Sequence, residues 1–566
     1  MSSLRKELGA GICADSGSVN ARARSRRFMA RGIMKAEGRR QKAERRMVAM
    51  RMRRPFLTSA FCLLPSALIF LTACATVPPA PAHFKILQLN DVYKIEGLEG
   101  GQSGGLARVR TLRKHLESDG SPVLVLHAGD ALYPSLMSKY LEAKPMVDVM
   151  NLLDGDSTAN DHNFIIVFGN HEFDKSDPTI LLDRVKESQF QWISTNSVYC
   201  NPNCDQKFPG VPELYVEDVG GVKVGFMGLL YPLQNKYART TDVIDAARDA
   251  ANVLREQMGA RVVIAITHED MPDDVKLVQA LPGINIVIGG HDHLFMQQRV
   301  ENTWIAKADA DAKSVIVWDV IVPPHGPVQT TPLRVVLDST VPKDPAVDAV
   351  VQKWMGALSD KLGGNDTLGY TKNLLEGVEP AVRGRETALG NLLADVMSAQ
   401  MQTDVAVING GSIRINDNIP PGPITKYDME GIFYYTNKLV ACNVTGQQLL
   451  DMLRNSVSRV DAGDGRFLQV SGIKFKYHPQ NGAFVVNAND VEVGGKPLDV
   501  NATYTLGIID FMYTRGTEDG YMLFSDANRP PKVNTDREAD LRAMVESYIR
   551  RVGTVDTDIE GRIVRQ

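Results

Sequence analysis

Cysteine is scarce in this chain. Of six cysteines among 566 residues, Cys13, Cys62 and Cys74 fall within the first 74 positions. Cys200, Cys204 and Cys442 remain for the rest, too few and too far apart for a zinc finger; the CNPNC stretch (200–204) leaves room for a small disulfide loop in an oxidising compartment. Internal repeats and low-complexity tracts are also missing, which removes repeat architectures. Basic charge is short where a nucleic-acid binder would need it. Residues 74–566 carry 47 Lys/Arg against 63 Asp/Glu, a balance of −16, so general binding to a phosphate backbone is disfavoured. Any phosphate handled here must be met by local positive charge or by metal.

Positive charge collects at the front instead. Residues 1–54 hold sixteen Lys/Arg and four Asp/Glu, and residues 55–73 hold no charge. MRRPFLTSAFCLLPSALIFLTAC (52–74) has a basic start, an apolar stretch broken by Pro65, and small residues before Cys74. That layout predicts an export signal over 47–74, too short and interrupted for a transmembrane anchor. Leu71-Thr72-Ala73-Cys74 resembles a bacterial lipobox, whose cysteine is lipidated and becomes the first residue of the processed chain; an ordinary signal with an incidental cysteine is the alternative. Arg53-Arg54-Pro55-Phe56-Leu57 also resembles a twin-arginine signal. Residues 1–46, basic and without apolar periodicity, are set apart as a disordered extension or a mistaken start. The expected location is the periplasm or cell envelope. The expected anchor is lipid at Cys74, and Ala75 after it leans toward the outer membrane. No obligate protein partner is evident.

After a Pro/Ala tether (75–83), the length calls for at least two folded units. From 84 to about 335, buried-strand patterns alternate with helical ones. FKILQLND (84–91), PVLVLHAGD (122–130), FIIVFGNHEFD (164–174), QWISTN (191–196), VKVGFMGLL (222–230), RVVIAITHED (261–270) and INIVIGGHDH (284–293) read as strands. This is an α/β pattern of sheets flanked by helices. Residues 336–365 read as a linker helix into a second, α+β domain over 366–566, with helices such as ALGNLLADVMSAQM and strands such as DVAVING.

Polar clusters stand at the C-terminal ends of five of these strands, the edge where α/β sheets collect ligands. They supply Asp91, Asp130, Asn170 with His171, His268, and His291 with His293. Carboxylate, amide oxygen and imidazole without thiolate suit divalent first-row metals such as Mn, Zn, Co or Fe. Two such ions, bridged by a carboxylate, clamp the attacking and leaving oxygens of an in-line phosphoryl displacement and make hydroxide available near neutral pH.

NDVYKIE, GDALYPS, GNHEFD, THEDMPDD and GGHDH resemble, in order, the signature blocks of the dimetal metallophosphatase fold. With NGGSIR (409–414) behind them, the chain resembles the 5′-nucleotidase / UDP-sugar hydrolase / 2′,3′-cyclic phosphodiesterase family over nearly all of 84–566. The resemblance implies a four-layer α/β/β/α sandwich followed by a C-terminal substrate-binding domain. It implies one ion on Asp91, Asp130 and His293 and another on Asp130, Asn170, His268 and His291. His171, oriented by Asp174, would face the phosphate. Asp292 and Glu172 are left to supporting or solvent roles.

In the second domain the resemblance gives the phosphate to Arg383 and Arg414. Asn409 falls at the base or phosphate side of the pocket, base stacking at Tyr435 and Phe511, and Asp519 beside them. The segment DFMYTRGTEDGY (510–521) is about two residues longer than usual, so Tyr513 is an alternative to Phe511. The implied activity is hydrolysis of nucleoside 5′-monophosphates to nucleoside and phosphate. The alternatives are cyclic nucleotides, nucleotide sugars, a sulfur ester, or a degenerate nucleotide-binding protein without turnover.

Two tyrosines depart from or extend the pattern. The family's first block reads Asp-x-His, whereas this chain has Asp91-Val92-Tyr93, leaving Tyr93 as a poorer ligand or water in its place. GDALY (129–133) resembles the block by which purple acid phosphatases bring a tyrosinate to ferric iron, which would make Tyr133 a source of a visible charge-transfer band. The plainer reading leaves Tyr133 in the family's GDxxxPS loop.

Overall fold

Side chains along the first strand, Ala82–Leu89 (β1), point alternately to two cores. Phe84 and Ile86 enter one, Leu87 and Leu89 the other, and all four are fully buried. A computed structural model describes residues 80–566 except residue 365, so the signal, lipobox and extension expected before residue 75 lie outside the described residues. Among the described residues, no helix is long and apolar enough to cross a membrane.

β1 pairs in parallel with β2 (Val123–His127), which continues to β3 (Asp161–Val167) and β4 (Phe190–Ile193). A second six-stranded sheet consists of β5 (Leu214–Val219), β6 (Val222–Leu230), β7 (Val262–His268), β8 (Ile286–Gly289), β9 (Met296–Val300) and β10 (Thr303–Lys307). Its order is β9-β10-β8-β7-β6-β5. β11 (Ser314–Val322) and β12 (Gln329–Val336) complete the first sheet beyond β1, both antiparallel to their neighbours. The sequence reading placed the central parallel strands but did not foresee these antiparallel edges.

The two sheets face each other across Phe84, Ile86, Leu124, Ile165, Phe226, Ile264 and Trp318. On the outer side of the first sheet lies α1 (Leu106–Glu117); outside the second lie α2 (Val243–Asn252) and α3 (Met271–Ala280). Helix α4 (Pro345–Lys361) is started by Asp344, whose side chain accepts from the Ala346 and Val347 N–H groups. Val347, Val351 and Leu358 of α4 are buried in the same core as Leu106 and Val109, so the segment read as a linker packs as part of the first domain.

Residues 368–563 form a separate apolar core around a five-stranded sheet. Helix α5 (Ala388–Met401), apolar on nearly every side, is covered there, with Thr387 accepting from the Gly390 N–H at its start. Cys200 and Cys204 are joined in a disulfide, and Cys442 is a buried free thiol.

If the layer between the sheets is the principal core of the first domain, Ile264→Ala should cost about 2–5 kcal/mol in chemical denaturation. Leu333→Ala, at an exposed position, should stay within about 0.5 kcal/mol. Equal losses at both positions would contradict the layered packing.

Candidate active site

Five parallel strands of the two facing sheets, β1, β2, β3, β7 and β8, run out toward one edge, and the loops that follow them converge. Asp91 follows β1, Asp130 follows β2, Asn170 and His171 follow β3, His268 ends β7, and His291 and His293 follow β8. Asp91, Asp130 and His268 are fully buried. His293 Nε2 lies 3.3 Å from Asp91 Oδ1, and one ligand atom each from Asp91, Asp130 and His293 falls within 4.8 Å of the others. On the other side of Asp130, His268 Nε2 lies 3.3 Å from its Oδ2 and 3.1 Å from Asn170 Oδ1, and the His268 and His291 rings are 5.1 Å apart. The structure thus brings all six expected metal ligands into one cluster centred on Asp130.

Two carboxylates removed from water beside each other need positive charge within reach. Burial opposes charge on His268, yet Asp130, Asp91 and the Ala128 carbonyl together raise the imidazole to about 9. His293 is likewise raised well above its ordinary value, against burial, by Glu379 and Asp91. His291, buried and facing the charge of His268, is pushed down to about 4. Divalent cations meet the same demand for positive charge, and the oxygen and imidazole donors fit first-row ions.

The backbone is bent to make this cluster. Asp91, Asp130, His291 and His293 all have left-handed φ, at 52°, 56°, 79° and 59°. Each such residue costs about 1–3 kcal/mol and persists only where its surroundings fix it. Glycines allow the close approach. A Cβ on Gly169 would lie 2.1 Å from Asp130 Oδ1, and one on Gly290 would lie 2.2 Å from the Ala128 carbonyl oxygen.

Glu172 is not a solvent residue. Its buried carboxylate accepts from four backbone N–H groups: Ala131 (2.8 Å), Leu132 (3.0 Å), Asp130 (3.0 Å) and Gly169 (2.6 Å). It therefore ties the loop after β2 to the loop after β3. Asp292 has a comparable place: it pairs at 2.5 Å with the fully buried Lys307 Nζ, which also donates to the Gly290 carbonyl at 2.9 Å. His171 donates its backbone N–H to Asp130 Oδ1 (2.9 Å), and its Nδ1 meets Asp174 at 3.0 Å. Burial opposes its charge, but Asp130 and Asp174 raise its pKa.

The two tyrosines separate clearly. The Tyr93 hydroxyl lies among the cluster, 3.2 Å from Asp91 Oδ1, 3.1 Å from Asp130 Oδ2 and 3.0 Å from His293 Nε2. Burial, then Asp130 and Asp91, push its phenol well above the ordinary value. Tyr133 is buried in the helix-side core, and its hydroxyl has no hydrogen-bond partner among the described residues.

The second domain reaches the same place. Glu379, absent from the sequence-based set, places Oε2 at 2.8 Å from His293 Nδ1, while Oε1 pairs with Arg383 Nη2 and lies 3.5 Å from Arg414 Nη1. Burial opposes its ionisation, but Arg383, His293 and Arg414 hold its carboxyl well below the ordinary range. The available signal was its position one helical turn before Arg383. A cavity of about 920 Å³ is lined by Asp130, His171, His291 and His293 from one domain and by Arg383 and Arg414 from the other.

Asn409 and Asp519, 110 positions apart, meet at 3.1 Å but do not line that cavity. Tyr435 is 47% exposed, edge-on to Tyr434 and 6.0 Å from the Arg414 guanidinium. Phe511 packs against the second core with Arg515 5.5 Å from its ring, and Tyr513 donates its hydroxyl to the Pro530 carbonyl. No ring contact joins Tyr435 to Phe511 or Tyr513 among the described residues.

Comparison with known proteins agrees with this architecture. The calcineurin-like phosphoesterase family matches residues 84–295, and the 5′-nucleotidase C-terminal domain matches residues 367–526. The chain is 26% identical over 508 residues to the trifunctional nucleotide phosphoesterase protein YfkN of Bacillus subtilis, a match spanning 81% of this chain but 34% of that longer one. It is 27% identical over 550 residues to the snake venom 5′-nucleotidase of Gloydius brevicauda, covering 87% and 90% of the two. The 5′-nucleotidase precursor from Thermus thermophilus shares the fold, with a TM-score of 0.69, 24% identity and coverage of 85% of this chain and 99% of that one. The sheet sandwich, the ligand-bearing edge and the matched phosphoesterase domain define a metal-dependent phosphoric ester hydrolase. The second matched domain narrows the class, and the chain belongs to the 5′-nucleotidase family of metallophosphatases.

Two substitutions test the supports. Glu172→Gln turns an amide NH₂ toward backbone N–H groups and should cost about 1–3 kcal/mol, read in thermal or chemical unfolding. Glu379→Gln should weaken metal retention by about 10–100-fold in competition with a chelator, because it orients His293. Unchanged unfolding or unchanged retention would refute the corresponding support.

Proposed function

We propose that this chain hydrolyses nucleoside 5′-monophosphates to nucleoside and inorganic phosphate. The observation that carries the reading is the shared cavity: the arginines of one domain and the imidazoles and carboxylates of the other open onto the same space. In this reading Asp91, Asp130 and His293 hold one divalent cation, and Asp130, Asn170, His268 and His291 hold a second. Bound there, the cations supply positive charge to the phosphoryl oxygens and lower the pKa of water.

The chain's own groups do the rest. Asp174 occupies Nδ1 of His171, which leaves Nε2 to donate to the phosphate or to the leaving oxygen. Arg383 and Arg414 receive the phosphate as fixed guanidinium forks. Tyr435, beside Arg414, stacks on the base with Phe511 as its partner, worth about 1–3 kcal/mol per base and tolerant of base identity. Asn409 and Asp519, bonded to each other outside that cavity, are assigned to the nucleoside rather than to the phosphate. The L-T-A-C stretch ending at Cys74 supports export and lipid anchoring at the cell envelope, which membrane fractionation against a Cys74→Ala chain would test.

Phosphate release from AMP is the direct measurement, after chelation and reloading with Mn, Zn, Co or Fe separately. Metal-dependent release should fall about 10²–10⁴-fold in kcat with His171→Ala. Arg414→Ala should act mainly on KM. A folded, metal-loaded chain that releases no phosphate from AMP would redirect the reading to another ester.

A further inference from the structure

We propose that Tyr93 is a metal ligand and that it makes the first cation position a ferric-iron site. The inference rests on the two-cation reading above, adds a donor to it and replaces the divalent ion of the first position by a trivalent one. The phenol oxygen stands 3.2 Å from Asp91 Oδ1, 3.1 Å from Asp130 Oδ2 and 3.0 Å from His293 Nε2, and these three residues form a cation-sized ligand group among the described residues. A cation bonded at about 2.0–2.1 Å to each of several donors sets those donors on the order of 3 Å apart. The spacing around Tyr93 is that spacing.

A hydrogen-bonding role explains the position less well. One hydroxyl carries one proton, and here it faces two carboxylate oxygens and an imidazole nitrogen. Glu379 meets His293 Nδ1 at 2.8 Å, which turns Nε2 of the ring toward the phenol. The single O–H serves only one of the two carboxylate oxygens at a time, whereas four donors converging on one cation leave none without a partner. The side chain is also held in place. The Tyr93 N–H donates to Asp311 Oδ1 at 2.8 Å, and its ring sits edge-on to His293 at 5.5 Å and to His171 at 6.3 Å.

The donor chemistry selects the ion. Two carboxylates, one imidazole and a phenolate form a hard, anionic set, which favours a small, highly charged ion over softer divalent ones. On binding, the phenol O–H gives its proton to solvent and a phenolate oxygen–iron bond replaces it, with no electron transferred. Tyr133, in the helix-side core, contributes nothing to this position.

The test loads the chelated, purified full chain with ferric iron and then zinc, with metal content, visible absorption and resonance Raman spectra recorded together. The expected result is one iron per chain with a phenolate-to-iron charge-transfer band and tyrosinate vibrations. Tyr93→Phe should abolish the band, and Tyr133→Phe should leave it unchanged. Tyr93→His, which restores the family's usual residue and guards against misfolding of the Phe variant, should give a colourless chain. Its preference for ferric iron over zinc should be at least about tenfold lower than that of the parent. Iron bound without a band, or a band that survives Tyr93→Phe or Tyr93→His, overturns the proposal. A parent chain that retains no metal of any kind overturns the two-cation reading itself, and metal analysis tells the two failures apart.

Discussion

Asp91 and Asp130 stand at the ends of neighbouring parallel strands with both carboxylates fully removed from solvent, and much of the surrounding structure answers their charge. Buried carboxylates side by side are expensive without nearby positive charge or hydrogen-bond donors. Here the His291 N–H donates to Asp91 and the His171 N–H to Asp130, while His268 and His293 approach from the facing sheet and the loop after it. The left-handed backbone at four of the ligand positions is the conformational cost of aiming those groups inward.

That cost is offset by contacts with no direct part in the chemistry. Glu172 gathers four N–H groups from two loops, and Lys307, wholly buried, joins Asp292 and Asp274 to the backbone beside His291. Each of these groups would be costly to bury alone, and each is tolerable because it is satisfied by several partners. The same logic explains the glycines. Gly169 and Gly290 are small so that Asp130 and the Ala128 carbonyl can approach the turns that carry the ligands.

The second domain is joined to this centre through polar contacts. Glu379 links a candidate metal ligand to two arginines, Lys94 pairs with Asp417 at 3.0 Å, and the Tyr140 hydroxyl donates to Glu430 at 2.6 Å. Charged and polar contacts of this sort set the register of the two surfaces, and Tyr427 and Tyr434 of the second domain add packing against the first core. They bring Arg383 and Arg414 to the cavity that the imidazoles line, so that guanidinium groups share its wall with carboxylates.

The parallel strands, their polar ends and the six residues proposed as ligands were legible because strand burial and strand termination are local properties, written as apolar runs followed by Gly, Asp, Asn and His. The antiparallel edge strands were not, since a half-exposed strand such as β12 carries little periodic signal. Glu379 and Lys307 were out of reach, and Glu172 stayed open between a supporting and a solvent role, because a charged residue in sequence reads as solvated until its partners are known. The same holds for the tyrosines: GDALY and Asp-x-Tyr offered two candidates, and only side-chain placement separates Tyr93 among the ligands from Tyr133 in the core. The sequence by itself determined the donor types, their order and the strand ends that carry them. Tertiary structure alone decided which of those donors share one charge centre, since distances between residues 91, 130, 293 and 379 depend on how two sheets and a second domain pack.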